Sequence, residues 1–194
     1  MAVFPLFYAG NIAFYKAMIN RGESVFLEYH ENFPKQTFRS RMEITGPNGV
    51  QQLSIPTIKT GKRRTMKNVE IAYAENWQKD HWKGLEAAYR RSPYFEFYEH
   101  KIHPLYHHKT KLLWDLNLDI HRFFIEALQL DLPVMFTETY SEDVQTDFRG
   151  ESFKQLVEPT TYMQVFSDRQ AFSPNMSLFD ALFNLGPQAK ELLF

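Results

Sequence analysis

The opening stretch, up to Leu27, constrains the fold most. It contains an apolar run over residues 2–7, a Tyr8-Ala-Gly-Asn11 turn, a helical pattern over residues 12–20, and the β-rich Val25-Phe-Leu27. Strand, Gly-containing turn, helix and strand make a βαβ unit, whose strands pair in parallel through a right-handed crossover. Ile12, Tyr15, Ala17 or Met18, and Ile19 give the helix its apolar face, and Arg21-Gly22 ends it. In such units ligands sit outside the carboxyl ends of the strands. Tyr8, Gly10, Asn11 and the segment after Tyr29 are therefore expected at the binding end.

The segment that emerges there, residues 30–41, reads His-Glu-Asn-Phe-Pro-Lys-Gln-Thr-Phe-Arg-Ser-Arg. As an extended strand it would point Lys35, Thr37, Arg39 and Arg41 to one side and Gln36, Phe38, Ser40 and Met42 to the other. Three fixed cations on one face need an anion opposite, either a neighbouring carboxylate or a bound phosphate or carboxylate. A solvated edge strand that uses Lys and Arg against aggregation is the other reading. Gly46-Pro-Asn-Gly49 then joins this strand to residues 50–56 as an antiparallel hairpin. Residues 57–65, with Lys59, Lys62, Arg63 and Arg64, read as a mobile basic loop, solvated or serving as a lid over an anion. A strand follows at residues 69–73.

Asn76 is a helix N-cap type, and residues 77–91 place Trp77, His81, Leu85 and Ala88 on one face and Gln78, Trp82 and Tyr89 on the next. Free N–H groups at such a helix start favour an anion; an amphipathic helix with a satisfied core histidine explains the same residues. A long helix over residues 109–129 carries a core stripe from Leu112 to Leu128, and residues 134–139 read as a strand. Residues 142–158 are polar and irregular, and short helices are expected at 177–184 and 187–193. With 194 residues and ordinary charged content, the chain is expected to be one α/β domain over residues 1–194: a mixed sheet with helices packed on it.

Composition narrows the chemistry. The chain has no cysteine, hence no disulfide, no thiolate nucleophile and no Cys-based zinc site. A formal net charge of −1 argues against broad nucleic-acid binding. No apolar run nears the ~18 residues needed to span a bilayer, and no secretory pattern opens the chain, so a soluble cytoplasmic protein is expected. Aromatic residues reach 16%, a core filler whose surplus lines pockets for sugar-like or flat groups. His100, His103, His107 and His108 cluster, but Pro104 is expected to interrupt any helix that would align His103 with His107, and no metal or cofactor is expected. G-x-G-x-x-G, P-loop, G-x-S-x-G and H-E-x-x-H patterns are absent. His30, flanked by Glu28 and Glu31, and His81 are the acid–base candidates.

Four stretches together resemble the WbqC-like family. They are His30-Glu-Asn-Phe-x-Lys-Gln-Thr-Phe-Arg-x-Arg41; Gly46-Pro-Asn-Gly49 with Leu53-Ser-Ile-Pro56; Trp77-Gln-Lys-x-His81-Trp through Arg90 to Tyr98; and Ser177-Leu-Phe-Asp-Ala-Leu-Phe-Asn-x-Gly186. The resemblance implies a setting in bacterial surface-polysaccharide and O-antigen synthesis, and a transferase that places glycine or another aminoacyl group on a sugar; with the cations and aromatics of this chain, the expected function is transfer of an acyl, aminoacyl or glycosyl group. It gives weight to Lys35, Gln36, Arg39, Arg41, Gln78, His81 and Arg90. The chain departs from the family's His-Gln-Pro opening, since residues 3–8 read Val-Phe-Pro-Leu-Phe-Tyr.

The expected site has Lys35, Arg39 and Arg41 holding a phosphate or carboxylate of a nucleotide sugar or acyl donor, with Gln36 and Arg90 also at the substrate. Gln78 assists at the helix start, Tyr8, Trp77 or Trp82 stacks on a sugar or base, and His81 or His30 moves a proton. A non-catalytic docking or scaffold protein of a polysaccharide assembly complex is the alternative, and a divergent nucleotidyl-transfer enzyme a third reading. An enzyme gathers these polar residues in one concave pocket, whereas a docking protein spreads them over a flat face.

Overall fold

The computed structural model describes residues 1–21, 24–155 and 158–194. Gly22, expected to end the first helix, and residues 156–157 of the irregular stretch lie outside the described residues. The βαβ opening is formed by β1 (Ala2–Phe4), α1 (Ile12–Ile19) and β2 (Val25–Leu27), with the two strands parallel and Ala2 opposite Val25. β1 stops early because Pro5 has no N–H to give the ladder. Asn11 caps α1 by accepting from the Phe14 N–H at 3.0 Å. The hairpin follows as β3 (Arg41–Gly46) and β4 (Gly49–Ser54), with Gly49 taking a φ of 105° that only glycine adopts without strain.

Further along come α2 (Trp77–Tyr89), α3 (Phe95–His107), α4 (Leu113–Leu128), β5 (Val134–Phe136), β6 (Thr146–Asp147) and α5 (Leu178–Leu185), before closing 3-10 turns over Gly186–Leu193. The order β5-β2-β1-β6 is parallel throughout. β3 and β4 make a separate sheet, so the parallel and antiparallel pairings of the expected mixed sheet are divided between two sheets. α2 packs on β3 and α3, and α4 packs on α3. Aromatic rings fill the core: Phe124 meets Phe179 at 4.7 Å, and Phe179 stacks on Phe183 at 5.2 Å. Each such buried ring contributes ~2–3 kcal/mol of transfer free energy. Gly186 lets the chain turn beneath the Tyr94 ring, where a Cβ would come within 2.5 Å of it. Among the described residues no helix is long and apolar enough to cross a membrane.

Three expectations are corrected. Residues 30–40 are a succession of turns, and the strand begins only at Arg41. Pro34 and Gln36, whose φ is +62°, break the extended run, so the single basic face does not exist. Residues 69–73 make only isolated bridges, Glu70 with Leu112 and Ile71 with Thr57. Finally, α3 runs through Pro104. The proline lies on the exposed face, and the carbonyl it leaves without a helical donor belongs to exposed His100, open to water.

Candidate functional site

β2 is a short buried strand, and the residue that leaves its carboxyl end is a carboxylate, Glu28, with no exposed surface. Burying it alone would be costly, and the chain answers with Arg149, just past the end of β6. Arg149 Nη1 donates to Glu28 Oε2 at 2.9 Å, while its other donors take Asp147 at 2.7 and 2.9 Å. The second oxygen of Glu28 accepts from the His30 N–H at 2.7 Å and from Thr137 Oγ1 at 2.8 Å. Beside this pair, Arg39 grips Glu31 with two bonds of 2.6 Å and donates to the Arg149 carbonyl at 2.8 Å. Burial pushes the Glu31 carboxyl up, and the Arg39 guanidinium pulls it back. Asn117 of α4 donates to the Arg39 carbonyl at 2.8 Å, fixing the turn to the core.

This cluster underlies a cleft of about 370 Å³. Phe7, Phe38 and Pro34 give it apolar walls; Arg41 and Glu43 of β3 and Gln52 of β4 form one side, and residues 149–152 with Lys154 the other. Among the described residues the Arg41 side chain has no carboxylate partner and makes one long hydrogen bond, to the Gln36 carbonyl at 3.5 Å. Lys154, Glu43 and Glu151 likewise line the cleft without an ion-pair partner among the described residues. Four unpaired charges, two of each sign, therefore face a space large enough for a sugar or acyl donor, above two arginines already held in place.

The structure brings together only part of the expected site. Gln36, Arg39 and Arg41 line the cleft; Lys35 is exposed on the same turn but does not. Arg39, expected as a free anion holder, has its fork filled by Glu31 and is 3% exposed. His30 is half-buried with its ring edge-on to Tyr29, outside the cleft lining. Arg90 clasps Glu99 at 2.6 Å and Glu86 at 2.6 Å, tying α2 to α3. Gln78 donates to the His108 carbonyl at 2.7 Å.

Tyr8, His81 and Trp77 form a buried group of their own. The Tyr8 hydroxyl lies 2.8 Å from His81 Nδ1 and 2.9 Å from the Tyr106 hydroxyl. Burial lowers the His81 pKa to about 4, against the opposing pull of the Ser54 backbone carbonyl and Asp80, so the ring is neutral near pH 7. Burial raises Tyr8 well above the ordinary phenol value, Tyr106 adding to it. With no exposed surface Tyr8 cannot stack on a sugar, and Trp77 packs against the rings of Tyr73 and His81.

Several residues with a part in these networks were not legible beforehand. Arg149 sits in a stretch that reads as polar and irregular; the one signal pointing to it is a carboxylate directly after a buried strand, which demands a distant cation. Asp180 is buried among Tyr89, Tyr162 and Gln164, accepting at 2.8, 2.6 and 2.8 Å, and burial raises its pKa despite those donors. Tyr15 and His121 repeat the hydroxyl–imidazole pairing at 3.1 Å. His103 and His107 stack at 3.5 Å on one face of α3, the alignment that Pro104 was expected to forbid. Among the described residues no group of three or more His, Asp or Glu is placed to hold a metal.

Comparison with curated proteins and with solved structures gives no match. Residues 8–164, which contain Arg39, Arg41, His81 and the β3–β4 hairpin, match the model of the WbqC-like protein family, and the chain belongs to that family.

Proposed function

We propose that the cleft beside Arg41 binds the anionic part of an activated sugar or acyl donor, for transfer of an acyl, aminoacyl or glycosyl group to a sugar during bacterial surface-polysaccharide synthesis. One observation carries this reading: two cations without carboxylate partners, Arg41 and Lys154, stand beside apolar walls and above a pre-set arginine pair at the carboxyl ends of parallel strands. Arg41 and Lys154 hold the donor's phosphate or carboxylate, and Phe7 and Phe38 pack against its apolar part. Glu43 or Glu151 accepts the proton from the acceptor's hydroxyl or amine as the new bond forms, and the leaving group departs towards the cations with the bonding electrons. Neither His81 nor His30 lines the cleft, so this role falls to a carboxylate.

That placement of the histidines also favours a second reading, a protein that binds the same ligands without turnover. Thermal-shift measurements with nucleotide sugars, acyl-coenzyme A esters, aminoacyl adenylate analogues and polyphosphates test both. Arg41→Ala is the better variant, because Arg39→Ala would strip a buried carboxylate of its partner. A ligand at ~100 times its dissociation constant stabilises by about 2.7 kcal/mol. The expected result is one ligand class that stabilises the wild type and not Arg41→Ala. Turnover with an added sugar acceptor then identifies the transferase, and binding without turnover the second reading. Equal stabilisation of both proteins by every anion overturns the cleft assignment.

A further inference from the structure

Away from this cleft, a second hollow of about 450 Å³ opens between the start of α2 and the end of α3. Its walls are unusually rich in rings: Tyr73, Trp82, Tyr106 and His107 all face it. Trp82 is held there by the stacked histidines, His103 and His107, nearly perpendicular to it with ring centroids 5.0 and 5.6 Å away. Tyr106, 1% exposed, is the inner wall, and through Tyr8 it leads to His81.

The charge around the hollow is lopsided once existing pairs are removed. Glu86 is already bound to Arg90 at 2.6 Å, leaving Glu75 as the lining carboxylate without a partner among the described residues. Lys79, Lys83 and Lys109 also line it and have no carboxylate partner there; the Lys109 ammonium rests over the Tyr73 ring at 5.3 Å. The Asn76 side chain makes no cap, so the first N–H groups of α2 are left open at the same edge.

We propose that this hollow is a second ligand site, distinct from the Arg41 cleft, which takes a ring carrying a phosphate. The ring packs against half-buried Tyr73 and the small exposed part of Trp82, and the phosphate is met by Lys79, Lys83 and Lys109 around the rim. The ring can be that of a sugar or of a nucleoside, and the two sources are separable by experiment. The proposal stands independently of the reading above, since none of its residues lines the first cleft.

The test is a titration of the full chain followed by tryptophan fluorescence, with glucose 1-phosphate, uridine monophosphate and inorganic phosphate as probes. Wild type is compared with the double variant Lys79→Glu/Lys83→Glu, whose changes are exposed and leave the core intact, and with Arg41→Ala. The expected result is saturable binding of one organic phosphate, weakened about tenfold or more in the double variant and unchanged in Arg41→Ala. Preference for glucose 1-phosphate identifies a sugar ring, and preference for uridine monophosphate a nucleoside. Binding that the double variant retains, binding that Arg41→Ala loses, inorganic phosphate matching both organic probes, or no saturation up to about 10 mM would each overturn the proposal.

Discussion

The Glu28–Glu31–Arg39–Arg149 cluster and the Tyr8–His81–Tyr106 group are both buried polar networks near the loop between β1 and α1, yet one is built of four charges and the other of none. Side-chain exposure in the two ion pairs is 7% or less, so each charge persists only because its partner and further hydrogen bonds are in place. In the other group burial works the opposite way, keeping an imidazole unprotonated and two phenols un-ionised. The difference follows what lies outside each network. The ion pairs underlie an open cleft lined by further charge, and their guanidiniums are held fixed beneath it. The neutral group serves packing between α2, α3 and the first loop.

The sharpest way to break this contrast is to remove one member of an ion pair. Arg39→Met leaves Glu31 buried without its cation and should cost about 3–5 kcal/mol in urea unfolding. Adding Glu31→Met should recover most of that loss, because two apolar side chains need no partners. A single-variant cost below about 1 kcal/mol would mean the pair is solvated.

Acid separates the networks next. His81 and His121 are held near pKa 4, below the ordinary 6.5, so both rings are neutral above pH 6.5 whether the chain is folded or not. Below that only the unfolded chain takes up the protons, and stability falls as pH drops from 6.5 towards 4, by about 3 kcal/mol for each ring. His81→Gln and His121→Gln should each flatten the slope of unfolding free energy against pH over that interval; an unchanged slope would show that the ring is open to water.

Tyr8→Phe should be milder, at about 2 kcal/mol, since it unpairs the buried His81 nitrogen and the Tyr106 hydroxyl without stranding a charge. Smallest is Arg90→Ala. Its bonds to Glu86 and Glu99 are as short as those of Arg39, but the side chain is 40% exposed, and water limits the loss to less than about 1 kcal/mol. Equal costs for Arg39→Met and Arg90→Ala would erase the role assigned to burial.

What could be read in advance was local. The βαβ opening follows from short-range patterning, and the hairpin from Gly46-Pro-Asn-Gly49, whose turn chemistry allows few alternatives. Alternation misled at residues 35–41, because period 2 arises by chance in a chain that Pro34 and a left-handed Gln36 have already bent. Pro104 misled in the opposite sense: its cost in a helix depends on whether the stranded carbonyl is wet, which a sequence does not state. Most of the candidate site was hidden for a third reason. Arg149 meets Glu28, and Tyr106 meets Tyr8, only through the tertiary fold, so no local pattern marks either partner.

That distance also orders events during folding. Arg149 and Glu28 are 121 residues apart, and β1 gains β6 only when residues 146 and 147 have been made. The helices and the hairpin rest on nearby contacts and can form early, whereas the parallel sheet must close long loops and completes late. On an emerging chain Glu28 therefore waits, hydrated and unpaired, until the last strand arrives. A chain halted before residue 149 would keep the hairpin side of the cleft but lack Arg149 and the whole opposite side.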